Sequence, residues 1–309
     1  MIKFQTIIES SYEYGGTGQQ CAAGFIEFMV VNMLGQYLFK AMEHTPRVMN
    51  NINMNTSVGG IENSIHPGII DIFSSEWRQT YECSCCNKIW HKSSHDFVTK
   101  VVIPSTLDNN GGSVSLEKCL NETCYGSEYL DEYICHFCHK IGNVKLSKPK
   151  FIRSGKVMIF HLLRFYHSGT YDRYGNKIML KNNVKIDIPQ LLDMNNYMKG
   201  GKQCKKHRLH SGINHLGPIR EEGHYIANCF EGDGKSGVCY NDETIKNITF
   251  NGKSASSYIL VYEETEYECA AVEVSAPGKD ISTLLLELLG SSNGKESKLD
   301  KKVQKHHLD

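Results

Sequence analysis

Cys83-Ser84-Cys85-Cys86 and Cys135-His136-Phe137-Cys138 are the two stretches from which this sequence is best read. Each contains a C-x-x-C spacing, which lets two thiolates on one tight turn bind the same tetrahedral ion, with Zn–S near about 2.3 Å. Two such turns make a four-cysteine site. Cys83, Cys86, Cys135 and Cys138 are therefore the candidate ligands of one structural Zn2+, in a closed site with no open position for water. Residues 87–134 lie between the pairs, more than a minimal zinc ribbon holds, so the insert must form structure of its own. The competing readings are buried free thiols and a thioredoxin-type redox pair, and no βαβ pattern surrounds either motif to support the latter. His91 and His95 follow at i, i+4, but His91 lies too close to Cys86 for a two-Cys, two-His finger, where about 12 residues intervene. Cys85, Cys119 and Cys124 are read as bystanders.

Composition narrows the class. The 309 residues carry 34 Lys+Arg against 34 Asp+Glu, so net charge offers nothing to nucleic acid or an anionic membrane. Hydrophobic residues at 40% and charged residues at 22% are ordinary for a globular protein. Twelve cysteines in this length fall well below the roughly 8–10% of a disulfide scaffold. The first residues, MIKFQTIIESSYEYGG, lack the apolar centre of a signal peptide. The stretch from Phe25 to Leu34 is broken by Glu27 and Asn32 and is shorter than the roughly 20 residues that span a bilayer. These features predict a soluble protein of a reducing compartment, cytoplasmic or nuclear, whose cysteines are thiols or metal ligands.

Periodicity supplies the elements. Phe25, Phe28, Met29 and Met33 fit a helix running from Gln19 to about Met42, and residues 44–66 read as loop. Ile69, Ile70, Ile72 and Phe73 make a short buried piece, and Ser115–Leu120 a short capped helix. Phe97–Ile103 is a strand candidate stopped by Pro104. Val157 to Phe165, VMIFHLLRF, is apolar enough to be one central strand. Val184–Ile188, Tyr225–Phe230 and Tyr258–Tyr262 are further strands, and Asn251-Gly252 is a hairpin-type turn. Ile281 to Leu289 can form one amphipathic helix, in which Leu285–Leu289 matches an LxxLL pattern, and residues 290–309 have a disordered composition.

Gly223-His224-Tyr225 opens one of these strands, and Tyr240-Asn241-Asp242 follows closely. A histidine oriented by an Asn or Asp is the base half of a cysteine-protease triad. The partner fixes the imidazole tautomer and stabilises the cation formed when His holds the thiol proton. His224, Asn241 and Asp242 are thus candidate catalytic residues, set against the plainer reading of an ordinary surface or core histidine. The glycine before His224 is read as allowing close approach of an extended substrate.

In order along the chain come Gln19-Gln20-Cys21-Ala22-Ala23-Gly24-Phe25, the two C-x-x-C pairs, His161-Leu162-Leu163-Arg164-Phe165, and Lys185-Ile186-Asp187-Ile188-Pro189. His215-Leu216-Gly217, Gly223-His224-Tyr225, Tyr240-Asn241-Asp242 and Tyr258-Ile259-Leu260-Val261-Tyr262 complete the series. This succession, over about residues 15–264, resembles the ubiquitin-specific protease family of deubiquitinating enzymes. The resemblance implies an α+β, papain-like cysteine-protease fold with fingers, palm and a truncated thumb, and a zinc ribbon in the fingers. It implies a helical thumb remnant in 1–80, zinc-binding fingers in 81–140, a β-rich palm in 141–265, and a tail in 266–309. It also implies His224 as general base, Asn241 as its orienting partner with Asp242 beside it, and ubiquitin or a ubiquitinated protein as the partner. The reaction implied is cleavage of the isopeptide bond after the ubiquitin C-terminal glycine.

The sequence departs from that pattern at its front. The family's nucleophile lies on a G-N-T-C-Y type segment, and residues 1–18 contain no cysteine. Cys21 stands where an Asp follows Gln-Gln, and Gly24 where a Glu is usual. Cys21 sits near a helix start, which lowers a thiol pKa, but its flanks match the Gln-Gln helix rather than the nucleophile segment. Three readings stay open: a fragment of an active deubiquitinase, inactive alone; a catalytically dead ubiquitin-binding or scaffold protein; and a zinc module unrelated to ubiquitin.

Overall fold

A computed structural model describes residues 21–30, 67–104, 112–171, 173–175, 177–199, 206–219 and 223–265. Helices α1 (Ala22–Phe28) and α2 (Pro67–Phe73) come first, followed by strands β1 (Ser75–Cys83), β2 (Ile89–Asp96), β3 (Thr99–Val101) and β4 (Ser113–Ser115). Helix α3 (Leu116–Cys124) precedes β5 (Ser127–Leu130), β6 (Val144–Ser147), β7 (Lys150–Arg153), β8 (Val157–Leu162) and β9 (Phe165–Tyr171). Then come β10 (Lys177–Lys181), β11 (Lys185–Asp187), β12 (Leu191–Asp193) and a 3-10 turn at Met194–Tyr197. The chain continues through β13 (Lys206–Leu216), β14 (His224–Phe230), β15 (Ser236–Asn241), β16 (Thr244–Thr249), β17 (Lys253–Ser254) and β18 (Ser257–Glu264).

The largest sheet has eight strands in the order β16-β15-β14-β13-β18-β8-β3, with β12 added to β13. Its long strands meander antiparallel, whereas β3 joins β8 in parallel. The apolar run of β8 suits a strand covered on both faces. On one face Met158, Phe160 and Leu162 pack with Leu116, Leu120, Ile186, Met194, Tyr197, Leu260 and Tyr262. On the other, Ile159 and Ile259 pack with Ala23, Ile69 and Tyr258. Helix α3 therefore closes one side of the sheet, and α1 and α2 lie on the other. Helix α3 begins where the sequence suggests, because the Ser115 hydroxyl accepts the Lys118 N–H at 3.1 Å. It buries Leu116, Cys119, Leu120 and Cys124, a single helical face.

The second sheet runs β2-β1-β6-β5, with β7 pairing the first half of β1 and β6 its end. The β1 and β6 strands thus carry the two cysteine turns away from the large sheet on a twisted ribbon. The insert between the turns does form structure, but not within the ribbon alone. It returns to the large sheet as β3 and α3 before β5 rejoins the ribbon.

Several sequence expectations change. The run VMIFHLLRF is two strands, because the chain breaks at Leu163-Arg164 to bury the Arg164 side chain. Ile69–Phe73 belongs to a helix. The strand expected at Phe97–Ile103 contracts to Thr99–Val101. Asn251-Gly252 is a turn, with Gly252 at φ +79° and the Asn251 side-chain oxygen accepting the Lys253 N–H, but it does not join paired strands. Instead β17 pairs with β11. The helix from Gln19 to Met42 is described only at α1, running on to residue 30. The Gln-Gln pair, the loop at 44–66 and the tail with Ile281–Leu289 lie outside the described residues. Among the described residues, no helix is long and apolar enough to cross a membrane.

Candidate functional site

The two cysteine turns are built alike. The Cys83 carbonyl accepts the Asn87 N–H and the Cys83 N–H donates to the Lys88 carbonyl; Cys135 makes the same bonds with His139 and Lys140. Asn87 and His139 take matching left-handed conformations, φ 55° and 57°. This pseudo-symmetry aims both turns at one point. The four sulfurs of Cys83, Cys86, Cys135 and Cys138 lie within 4.8 Å of one another. The Cys83–Cys138 and Cys86–Cys135 pairs stand at 3.8 Å. A tetrahedron with metal–sulfur bonds of about 2.3 Å has edges of about 3.8 Å, so donor set and spacing fit a zinc ion. The Cys83 thiol is pushed down to about 6, first by the backbone N–H of Cys86, which favours the thiolate a metal needs. Trp90 roofs the turns, stacked on Tyr81 at 5.3 Å and met edge-on by Phe137 at 5.7 Å and His136 at 6.0 Å. Cys85 is exposed, while Cys119 and Cys124 are buried under α3, away from the four-sulfur cluster.

His224, Asn241 and Asp242 are brought together at the end of the β14–β15 pair. Ala227 is level with Tyr240, so one further step puts Asn241 level with Ile226. His224 lies two residues beyond Ile226, on the same face of the strand, which makes it a diagonal neighbour of Asn241. The two side chains meet at 2.6 Å, between His224 Nε2 and Asn241 Oδ1. A carbonyl oxygen only accepts, so Nε2 carries the proton and Nδ1 keeps a free lone pair. Asp242 turns the corner at φ 50° and brings a carboxylate oxygen to 3.7 Å from the same Nε2. That distance gives charge support to an imidazolium rather than a hydrogen bond. The His224 side chain is 42% exposed, open to an incoming group. The arrangement is chemically an oriented base with a built-in counter-charge.

Beside it runs an apolar groove of about 340 Å³, lined by Cys21, Phe25, Ile213, Tyr225 and Tyr240 among others. Tyr225 and Tyr240 are the chain neighbours of His224 and Asn241. Cys21 reaches this groove from the start of α1, and its polar contact is the Tyr258 hydroxyl at 3.4 Å. Sequence reasoning left two neighbouring residues without a role. The Arg164 guanidinium is fully buried and donates to the carbonyls of Ser257, Asn182, Val184 and Ser254. His215, on β13 beside β14, is also fully buried. The signal for Arg164 was present, a charge inside the most apolar run of the chain; His215 had none, being one of 14 histidines.

Comparison with known proteins places this geometry. The profile described as ubiquitin carboxyl-terminal hydrolase matches residues 4–262. Ubiquitin carboxyl-terminal hydrolase 10 of Saccharomyces cerevisiae is 30% identical over 132 residues, covering 42% of this chain and 16% of that protein. Ubiquitin carboxyl-terminal hydrolase 4 of Candida glabrata is 24% identical over 216 residues, 63% of this chain and 22% of that protein. The chain thus spans about a quarter or less of each of these two relatives. Among solved structures, a SAGA Ubp8/Sgf11/Sus1/Sgf73 DUB module bound to ubiquitin aldehyde aligns with a TM-score of 0.60 and 20% identity, over 86% of this chain and 54% of that chain. The same module bound to monoubiquitin gives a TM-score of 0.60 and 19% identity, over 86% and 53%. The fold is therefore the α+β, papain-like plan of fingers and palm expected above.

Proposed function

The chain belongs to the ubiquitin carboxyl-terminal hydrolase family, and from that premise we propose that it forms the ubiquitin-holding fingers and palm and the base half-site of a thiol deubiquitinase. Family membership also removes the reading of a zinc module unrelated to ubiquitin. The bond cleaved is the isopeptide bond after the ubiquitin C-terminal glycine. His224 is the general base, Asn241 fixes its tautomer and Asp242 stabilises its cation. The single observation that carries this is the 2.6 Å contact of His224 Nε2 with Asn241 Oδ1, which leaves Nδ1 free to take a proton.

In the reaction, Nδ1 accepts the proton of a cysteine thiol as the thiolate attacks the scissile carbonyl. The imidazolium is held by Asn241 and Asp242, then gives that proton to the leaving lysine amine. In the second half, His224 takes a proton from water as it attacks the thioester, and returns it to the departing thiolate. The nucleophile segment is not among these 309 residues. We accordingly assign to this chain alone ubiquitin binding without cleavage. Cys83, Cys86, Cys135 and Cys138 would hold Zn2+, which ties the two turns together and takes no part in the chemistry. The thiol-rich composition supports a reducing compartment, cytoplasm or nucleus.

One observation favours the second reading, a catalytically dead ubiquitin binder. Cys21, in place of an acid, lines the apolar groove beside the base. Ubiquitin carrying a C-terminal thiol-reactive group separates the readings. The expected result is saturable binding with no covalent adduct. Labelling of Cys21 would overturn the assignment of inertness, and absence of ubiquitin binding would overturn the proposed function. Adding a peptide or domain bearing a G-N-T-C-Y segment should restore cleavage that is lost in His224→Ala; the dead-binder reading expects none.

A further inference from the structure

His215 is fully buried on β13, and among the described residues neither ring nitrogen has a hydrogen-bond partner. Buried polar groups are nearly always paired, so this imidazole is kept in place by something other than polar contacts. Its ring meets Phe165 at 5.1 Å and Tyr225 at 5.0 Å, both near edge-on, with Tyr258 at 6.3 Å. Its backbone is clamped too. The N–H donates to the Ser256 carbonyl at 2.9 Å, and the carbonyl accepts from Lys181 Nζ at 2.5 Å. Lys181 Nζ also reaches the Gly217 carbonyl at 3.1 Å, so one ammonium holds the chain on both sides of Leu216. A further wall of the ring is Gly223. A methyl group there would lie 2.3 Å from His215 Nε2 and 2.5 Å from Cε1, closer than any real contact. The glycine before His224 is thus required by the protein's own packing, whatever a substrate also needs. Across the β13–β14 pair, His215 is level with Tyr225 and Leu216 with His224. The ring therefore touches the residues on both sides of His224.

We propose that His215 is a positioning residue for His224. Its caged ring is the surface on which Gly223 and Tyr225 are seated, and it thereby sets the direction in which His224 leaves the strand toward Asn241. The inference rests on the reading of His224 as the base and adds a residue that acts through it. The role is one of shape and stiffness, not of proton transfer, since the ring does not reach the open side of the site.

The test uses the whole chain labelled with 15N-histidine. The ring Nε2–H of His224 should give a downfield proton signal, because it is hydrogen-bonded to Asn241 at 2.6 Å, and Asn241→Ala should abolish that shift and so assign it. The expected result for His215→Ala is the same loss of the downfield shift, with the backbone amide signals of β15 and β16 unchanged. If the alanine chain does not fold, His215→Leu, which keeps apolar volume without the planar ring, is read in the same way. A downfield signal retained in the His215 variant overturns the inference and leaves the proposed function standing. No response to Asn241→Ala in the parent chain overturns the His224–Asn241 pair itself, and this inference with it.

Discussion

Burial, and secondly the Lys181 ammonium, holds the His215 imidazole below its usual range. The groups facing it are Lys181 from β10 and the rings of Phe165, Tyr225 and Tyr258. An unfolded histidine titrates near about 6.5. A depressed folded value means that the stability contributed is fully present above about pH 6.5. It is lost as pH falls, because the unfolded chain takes a proton that the folded chain refuses. The urea midpoint of the parent should therefore drop between about pH 7 and pH 5 by more than that of His215→Phe, which cannot titrate; equal drops would place the acid sensitivity elsewhere. The alkaline side has the opposite sign and other residues. Burial raises the thiols of Cys119 to about 11 and Cys124 to about 12, from 9.0. Above about pH 9 the unfolded chain releases protons that these two retain, so the midpoint should fall again as pH rises, and less so in a Cys119→Ala, Cys124→Ala chain.

Arg164 decides the shape of an element. Burial lowers its guanidinium to about 10, which still leaves it charged at neutral pH. Its donors satisfy carbonyls on both sides, from the chain after β10 and from the chain between β17 and β18. Arg164→Met keeps the apolar stem but leaves those acceptors unpaired in the interior. A loss of about 3 kcal/mol or more in urea unfolding is expected, and a loss under about 1 kcal/mol would show the clamp to be redundant. The cysteine ribbon is the other element whose integrity hangs on a few atoms. Metal analysis should find one zinc per folded chain, and Cys135→Ser should lose it. Chelation should shift the emission of Trp90, which is packed on Tyr81, Tyr133, His136 and Phe137, toward that of exposed tryptophan. A zinc-free chain with unchanged emission would remove the metal from the account.

Across the whole molecule, the large sheet is the frame to which everything else is attached. Strands β13, β18 and β8 sit inside it, sandwiched between the two cores, while β16 and β3 end it. Amide exchange should be slowest in β8 and β18 and fastest in β16 and β2, because opening an edge strand exposes little apolar surface. Uniform protection across these strands would contradict that order. The site has a consequence at this scale as well. His224 and Asn241 are on adjacent strands toward the β16 edge, but the residues that fix their approach, Lys181 on β10 and Phe165 on β9, come from the separate two-stranded hairpin. Loss of that hairpin should weaken the His224–Asn241 contact without touching either residue.

The sequence alone determined the chemistry-bearing residues and their order. The C-x-x-C spacing marked the four sulfurs, because two ligands on one turn demand that spacing. The capping Ser115 and the apolar runs of β8 and β18 marked elements whose formation depends mainly on neighbours in the chain. Tertiary structure decided what depends on distant partners. It split VMIFHLLRF at Arg164, since only the folded chain assembles four carbonyls around one guanidinium. It sent the insert between the cysteine turns back to the large sheet, a pairing of β3 with β8 that local pattern does not encode. It made His215 the neighbour of Gly223, because strand register, set by the burial of whole faces, brings together residues whose separation along the chain says nothing of contact.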